Sequence, residues 1–266
     1  MKLTVLNENT VSGGEFICEH GLSILLETEK HKILFDMGQS DVFAKNAETM
    51  GVDLSNVDVA VLSHGHYDHG GGITKFFSLN KKSKIYLNEN SFGDYHNGTS
   101  KYIGLNKELK IDDRFVFVSD ELRIDDELSL YSCNNLSRLF KTDHYGLTKK
   151  VNDIFLPDDF MHEQYLLVEE KGKRILISGC SHKGVLNIQN WFKPDVFIGG
   201  FHLSKLNPEK TEDASALQEI ALKLKQYNTK YYTAHCTGVE QYGFLKKELK
   251  SQLDYLSTGN VFEIKN

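Results

Sequence analysis

The stretch SHGHYDHGGG (Ser63–Gly72) directly follows VDVAVL (Val57–Leu62), a short apolar run with the composition of a buried strand. Within six residues it contains four side chains of types that bind metals, namely His64, His66, Asp68 and His69. Helical spacing would point these groups in different directions, whereas a turn that uses the backbone freedom of its glycines can bring them together. Imidazole and carboxylate suit Zn²⁺, Mn²⁺ and Fe. The stretch therefore predicts a metal site at the end of a strand.

One loop rarely completes a metal site, and three later strands end close to further candidate ligands. The predicted strands Arg174–Ser178, Asp195–Ile198 and Lys230–Ala234 are each followed within a few residues by a histidine. Loops at strand ends hold functional side chains on a rigid scaffold. One such histidine is more often structural, but the same arrangement at four strand ends favours a functional role. These three candidates are His182, His202 and His235.

Two of the four cysteines lie beside these histidines. Cys180 is two residues before His182, and Cys236 directly follows His235. A thiolate at either position would be a strong, soft metal ligand, whereas a free cysteine usually behaves as a small buried hydrophobe. Both interpretations stay open for Cys180, and the second is preferred for Cys236.

The other cysteines and histidines are weaker candidates. We expect Cys18 and Cys133 in the core or in loops, and His31 and His96 at the surface. A place beside the site stays open for the last three histidines, His20, His144 and His162.

The composition restricts the class of protein. The chain has 266 residues, a formal net charge of −6 and a pI of about 6.0, which argues against a dedicated nucleic-acid or anionic-membrane binder. No run approaches the roughly 18 apolar residues of a membrane helix, and we expect no signal peptide. The four cysteines are far apart and include no C-x-x-C pair, so we expect a reduced, cytoplasmic protein. The sequence leaves the oligomeric state open.

Strands and helices mix in both halves of the chain, which predicts an α/β protein with helices outside the sheets. Pro208 suits the first turn of a helix over Glu209–Gln226. Between about 89 and 160 the pattern weakens and only Arg114–Val118 and Glu127–Tyr131 have the pattern of strands, so we expect a loop-rich insert of the kind that often covers a site. Neither a G-x-x-x-x-G-K-[ST] loop nor a G-x-S-x-G elbow occurs. Apolar spacing predicts three further helices, at Asp41–Met50, Ile73–Leu79 and Val185–Phe192.

Six segments resemble the metallo-β-lactamase superfamily and, within it, the dihydropterin-(ribofuranosyl)aminobenzene-phosphate synthase-like subfamily. In chain order they are EHGLSILLET, ILFDMGQS, VLSHGHYDHGGG, ISGCSHKG, GGFHL and TAHCTG. His64–His69 has the H-x-H-x-D-H form of the superfamily. The resemblance implies an αββα sandwich in which two mixed sheets are flanked by helices. It also implies a single domain over residues 1–266, with the insert at about 89–160.

The resemblance further implies a centre of one or two divalent metal ions, with Zn preferred to Mn or Fe. Where the superfamily usually has Gly-Asp, with the Asp bridging two ions, this chain has Gly179-Cys180. Either Cys180 is a ligand, or the bridge is lost and His182 replaces it. The other residues that match the metal-binding positions are His64, His66, Asp68, His69 and His235.

The implied activity is that of a metal-dependent hydrolase, in which a metal-activated water attacks a small phosphorylated or ester substrate. Asp68 would orient that water or accept its proton, and His202 would donate a hydrogen bond to the substrate oxyanion. One alternative is the pterin-diphosphate transferase reaction of the subfamily, which needs a ring pocket lined by aromatics such as Tyr95, Tyr102 or Phe140. Another is a metal-binding or sensing protein without catalysis.

Overall fold

A computed structural model describes residues 1–264, and within this range the chain forms eighteen strands and six helices. The strands are β1 (Lys2–Asn7), β2 (Ser23–Glu27), β3 (Lys32–Phe35), β4 (Val59–Val61), β5 (Lys84–Asn88), β6 (Tyr95–Asn97), β7 (Lys101–Tyr102), β8 (Phe115–Val118), β9 (Glu121–Arg123), β10 (Leu128–Tyr131), β11 (Leu147–Val151), β12 (Ile154–Pro157), β13 (Tyr165–Glu170), β14 (Lys173–Ile177), β15 (Val196–Ile198), β16 (Lys230–Thr233), β17 (Leu253–Tyr255) and β18 (Val261–Glu263). The helices are α1 (Val42–Thr49), α2 (Tyr67–Gly70), α3 (Ile73–Leu79), α4 (Val185–Phe192), α5 (Thr211–Lys225) and α6 (Val239–Leu249).

Two seven-stranded mixed sheets form the centre of the molecule. The first has the order β18-β1-β2-β3-β4-β5-β8, and the second has the order β17-β16-β15-β14-β13-β10-β9. In each sheet four neighbouring strands are parallel, β3-β4-β5-β8 in the first and β14-β15-β16-β17 in the second. The remaining pairs are antiparallel.

The strands are apolar on both faces because each sheet packs against the other sheet and against helices. In β13, Leu166 and Val168 face the first sheet, while Tyr165 and Leu167 pack with residues of α4, α5 and α6. Helices α1 and α3 cover the outer face of the first sheet in the same way. Strands that are buried on both sides are expected to be nearly continuous apolar runs. This layer order confirms the predicted αββα sandwich.

The segment 89–160, which we expected to be loop-rich, contains seven strands. β8 extends the first sheet, and β9 and β10 extend the second. The other four form a small sheet of order β12-β11-β6-β7, which lies near the ends of the parallel strands and contributes Asn97, Lys101 and Leu147 to a cavity wall. The strands of this small sheet are short and of mixed polarity, so they have no clear strand pattern in the sequence.

The predicted helix at Glu209–Gln226 starts later than expected. α5 begins at Thr211, so Pro208 lies outside it, in a turn. The Asn207 side chain accepts from the amide of Glu209, and its carbonyl accepts from the amide of Lys210. This local turn competes with the helix for the same backbone groups. The predicted helices Ile73–Leu79 and Val185–Phe192 match α3 and α4. No helix in residues 1–264 is both long and apolar enough to cross a membrane.

The contact between the two sheets gives the first testable prediction. Leu166 is fully buried there, whereas Leu139 is 69% exposed. We expect Leu166→Ala to lower the free energy of unfolding by about 2–5 kcal/mol, because a buried leucine leaves a cavity. The matched change Leu139→Ala should cost less than about 0.5 kcal/mol. Urea denaturation measures both, and equal losses would contradict this packing.

Candidate metal centre

The H-x-H-x-D-H stretch folds as a loop followed by a single helical turn. β4 ends at Val61, the loop contains His64 and His66, and α2 contains Asp68 and His69. Gly65 is required at its position, because a Cβ there would lie 2.1 Å from the carbonyl oxygen of Ser91. The tight backbone turn places these four side chains around one point instead of around a helix axis.

Loops from the second sheet meet this turn. His64 Nε2 lies 3.3 Å from His182 Nε2, and Cys180 Sγ lies 3.2 Å from His69 Nε2. His235 Nε2 lies 3.3 Å from Asp68 Oδ2. The structure therefore brings together every residue for which the sequence predicts a metal-binding role: His64, His66, Asp68, His69, Cys180, His182 and His235.

Outer hydrogen bonds orient three of these imidazoles. The Ser63 hydroxyl donates to Asp36 Oδ2 at 2.7 Å and lies 2.8 Å from His64 Nδ1. Asp36 Oδ2 also accepts from His69 Nδ1 at 2.6 Å. Such partners hold one ring nitrogen and direct the other toward a metal. The Asn9 side-chain oxygen accepts a hydrogen bond from His235 Nδ1 at 2.8 Å and orients that ring in the same way.

Asp36 is a site residue that was not predicted from the sequence. It follows β3, the strand next to β4, and its carboxylate also accepts from the amide of Ser63. A carboxylate at the carboxyl end of a parallel strand was the available signal. Its φ of +59° is in the left-handed region, which aspartate tolerates better than most residues.

The pKa values fit neutral imidazoles at His64 and His182 and an ionised carboxylate at Asp68, whereas His69 carries a proton at neutral pH that a metal would have to displace. Burial, reinforced by the neighbouring imidazoles, holds the pKa of His64 and of His182 well below the ordinary value. Burial also opposes protonation of His69, but Asp36 and Asp68 raise its pKa to about 9. Burial would raise the pKa of Asp68, yet the surrounding histidines hold it well below its usual range. Neutral imidazole and ionised carboxylate are the metal-binding forms.

Several buried nitrogens of the site have no hydrogen-bond partner within residues 1–264 of the protein. A metal fits the site if it can bind such nitrogens at the distances that the structure shows. Each such atom costs about 1–3 kcal/mol when it is left unsatisfied. Two nitrogens bound at about 2.0–2.1 Å in a tetrahedral zinc site lie about 3.3 Å apart, which matches the separation of His64 Nε2 and His182 Nε2. The residues present therefore fit a metal centre. The unpartnered atoms are His66 Nε2, His182 Nδ1, His202 Nδ1 and Nε2, and His235 Nε2.

The two cysteines beside the site differ in their environment. Cys236 Sγ donates to the carbonyl oxygen of Cys180 at 3.3 Å. Burial raises the pKa of Cys180 well above its ordinary value. Burial acts in the same direction on Cys236, but the neighbouring Cys180 and the nearby His202 and His235 imidazoles outweigh it and hold the pKa well below the ordinary value. Both thiols are reduced and buried.

A cavity of about 300 Å³ opens over the cluster. His202 lies on its wall, with its ring 4.2 Å from that of His182 and 5.4 Å from that of Tyr145. A side cavity of about 100 Å³ lies beyond it and is lined by Phe140 and Tyr145. Tyr95, by contrast, is buried against His162.

The histidines left open by the sequence fall in three different places. His20 is exposed at the cavity, with Nε2 3.2 Å from Asp68 Oδ2. His162 is buried behind the motif, where its Nδ1 accepts from the amide of Gly65 at 3.0 Å. His144 only accepts from the nearby amide of Gly146. His162 therefore supports the loop, and His20 is the one that reaches the site.

Glu163 and Lys183 hold the loop that carries His182. The Glu163 carboxylate accepts from the amides of His182 and Lys183, at 2.7 and 3.0 Å. The fully buried Lys183 ammonium donates to the carbonyl oxygens of Ser132 and Glu163. Burial lowers the pKa of Lys183 to about 8. This network could not be predicted from local sequence because its members meet only in the folded chain.

The fold and the cluster define a class of protein: the fold is that of the metallo-β-lactamase superfamily, and the sequence profile of that superfamily matches residues 17–144 of the chain. Among curated proteins the chain is similar to the 7,8-dihydropterin-6-methyl-4-(β-D-ribofuranosyl)-aminobenzene-5′-phosphate synthase of Methanocaldococcus jannaschii. The two are 29% identical over 281 aligned residues, covering 93% of this chain and 91% of the relative.

Solved structures show the same fold. The crystal structure of Tm1679, described as a metal-dependent hydrolase of the β-lactamase superfamily, superposes with a TM-score of 0.83 at 27% identity over all of both chains. Human tRNase Z, short form, shares the fold over all of both chains with a TM-score of 0.58 at 15% identity.

The role of Asp36 can be tested by removing its charge. We expect Asp36→Asn to weaken zinc affinity by about 10–100-fold, because it removes the anion that orients His69. Asparagine tolerates the same left-handed backbone, so the change isolates the carboxylate. Competition titration with a chelating dye measures the affinity. The control is Asp58→Asn, at a half-exposed carboxylate away from the cluster, and equal affinities for both variants would contradict this role.

Proposed function

We propose that the protein is a metal-dependent hydrolase that acts on a small phosphorylated or ester substrate. The observation that carries the proposal is the convergence of seven side chains of metal-binding types from loops of both sheets, five of which, His66, Asp68, Cys180, His182 and His235, line one open cavity. Ligands from both halves of the chain line this cavity, which also supports the proposal that the halves form one domain. We also propose a cytoplasmic location, which rests on the wide spacing of the four cysteines in the sequence.

The ligands fall into two neighbouring groups. His64, His66 and His182 would hold one ion, because their ligand atoms lie within 4.8 Å of one another. The second group would hold a second ion and consists of Asp68, His69, Cys180 and His235. Nitrogen, oxygen and sulfur together favour Zn, with Mn or Fe as the other candidates.

A bound divalent ion supplies a nucleophile at neutral pH by lowering the pKa of water from about 15.7 to about 7. Asp68 lies at the cavity with its carboxylate ionised, so it can orient the attacking water and accept its proton. His202 has both ring nitrogens free of protein partners and stands on the wall next to His182. It can donate a hydrogen bond to the oxyanion that develops on the substrate.

Two lysines support a phosphorylated substrate. Lys101, on β7, and Lys205 both line the cavity, and no carboxylate within residues 1–264 forms an ion pair with either ammonium group. Lys101 is held only by a 3.4 Å contact with the Tyr67 hydroxyl. Free cations at the mouth of a metal site would bind the anionic end of a substrate.

A transferase of the pterin-diphosphate type is the second candidate. The 29% identical relative, which is named as a synthase, favours it, and so does the side cavity, since Phe140 and Tyr145 offer aromatic faces to a ring. Tyr95 and Tyr102 are engaged elsewhere: the Tyr95 hydroxyl donates to Asn90, and that of Tyr102 donates to Leu105.

Metal analysis tests the centre itself. Purified protein should contain one or two equivalents of zinc, manganese or iron, and His64→Ala and His182→Ala should each lose most of it because they remove ligands of the same ion. His96→Ala is the control, since His96 lies outside the cluster and pairs with Asp94. Wild-type protein without stoichiometric metal, or full metal in both ligand variants, would contradict the proposal.

Substrate assays separate the candidate reactions. Release of phosphate or alcohol from simple phosphate and carboxylic esters supports hydrolysis, and consumption of a pterin diphosphate with an aminobenzene acceptor supports transfer. A metal-loaded protein that turns over neither would instead support a non-catalytic metal-binding role.

The lysines predict a selective change in KM. Lys101→Ala and Lys205→Ala should each raise KM for a phosphorylated ester by about 10–100-fold, since a charge-assisted hydrogen bond contributes about 1.5–3 kcal/mol. KM for an uncharged carboxylic ester should stay within about twofold. Steady-state kinetics on both substrates measures these KM values. An equal rise in KM for both substrates would show that the lysines do not recognise the negative charge of the substrate.

A further inference from the structure

Cys180 and Cys236 approach each other although they belong to strands that are not neighbours. Cys180 follows β14 and Cys236 follows β16, with β15 between them. Any side chain at the end of β15 would separate the thiols, but β15 ends in Gly199-Gly200. A Cβ on Gly200 would lie only 2.4 Å from Cys236 Sγ. The missing side chain is therefore what lets the second thiol reach the first.

His235 completes a group of three donors. The ligand atoms of Cys180, His235 and Cys236 all lie within 4.8 Å of one another, and all three residues are buried. Sulfur and nitrogen ligands of a tetrahedral zinc ion lie about 3.5–3.8 Å apart, so small side-chain movements suffice to close the group.

An unsatisfied atom of His235 points independently to a ligand. Its side chain is only 1% exposed, and its Nε2, although 3.3 Å from Asp68 Oδ2, makes no hydrogen bond. Its other nitrogen is held by Asn9, at 2.8 Å. The residue also has a φ of +52°, in the left-handed region that costs a histidine free energy. A bound ion would satisfy the free nitrogen.

The surroundings of Cys236 do not match those of a space-filling cysteine. Its thiol donates to the carbonyl oxygen of Cys180, and both thiols line the same cavity as the histidines. A cysteine that only fills space behaves as a small hydrophobe.

We propose that Cys236 is a further metal ligand, and that Cys180, His235 and Cys236 form a thiolate-rich site for a soft divalent ion such as Zn²⁺ or Cd²⁺. The inference rests on the proposed metal centre and specifies its second position. Two thiolates select soft or borderline ions over Mg²⁺, Ca²⁺ and Mn²⁺. As a ligand, Cys236 would not be the small buried hydrophobe that the sequence favours.

Zinc K-edge X-ray absorption of the zinc-loaded full chain tests the proposal. We expect two sulfur ligands per molecule at about 2.3 Å in wild-type protein and one in Cys236→Ser. Cys133→Ser, at a cysteine outside the site, should keep two. A sulfur count that is the same in wild type and Cys236→Ser overturns the inference while leaving the metal centre intact. Wild-type protein that binds no zinc contradicts the centre itself.

A measurement on wild-type protein keeps the proposal testable if the variant does not fold. Each thiolate ligand moves the cadmium NMR resonance downfield. Cadmium-loaded wild-type protein should therefore give a resonance in the range of two-thiolate sites. A spectrum with resonances only in the range of one thiolate, or of nitrogen and oxygen ligands, overturns the proposal.

Discussion

The face-to-face packing of the two mixed sheets is the constraint on which the rest of the molecule depends. Because β3 and β4 are parallel in one sheet, and β14, β15 and β16 are parallel in the other, their carboxyl ends reach one edge of the sandwich. Each strand then needs only a few loop residues to bring a ligand to a shared point. The apolar layer between the sheets fixes the distance between the two sets of loops.

The loops of the site contain unfavourable backbone conformations and unsatisfied polar atoms, and the stability of the sandwich has to offset their free energy. Four residues of its loops, Asp36, Ser181, His202 and His235, have φ values between +52° and +60°, a conformation that costs free energy in residues other than glycine. Several ring nitrogens are buried without partners. Such strain and unsatisfied polarity gather at functional sites because the surrounding structure holds them in place. A bound metal would satisfy these nitrogens, so metal binding and the stability of the fold are coupled.

Much of the site could be predicted from the sequence because its signals are local. The first motif joins a buried strand to a glycine-flanked turn, and the later histidines each follow a predicted strand. The αββα architecture follows from the resemblance that these segments carry. The outer partners could not be predicted in this way, because Asp36 reaches His69 and Glu163 reaches the amide of His182 only through tertiary contacts. Within 89–160, β8 and β10 coincide with the predicted strands Arg114–Val118 and Glu127–Tyr131, whereas β9 and the four strands of the small sheet were missed because they are short and of mixed polarity.

An anomalous-scattering map of zinc-loaded crystals, collected at the zinc edge, shows directly whether the cavity edge is a metal centre. We expect at least one strong peak within bonding distance of His64 Nε2 and His182 Nε2. We expect a second peak beside Asp68, Cys180 and His235 when both positions are filled. Zinc that is bound only elsewhere on the molecule, with no peak among these residues, would show that this edge is not a metal centre.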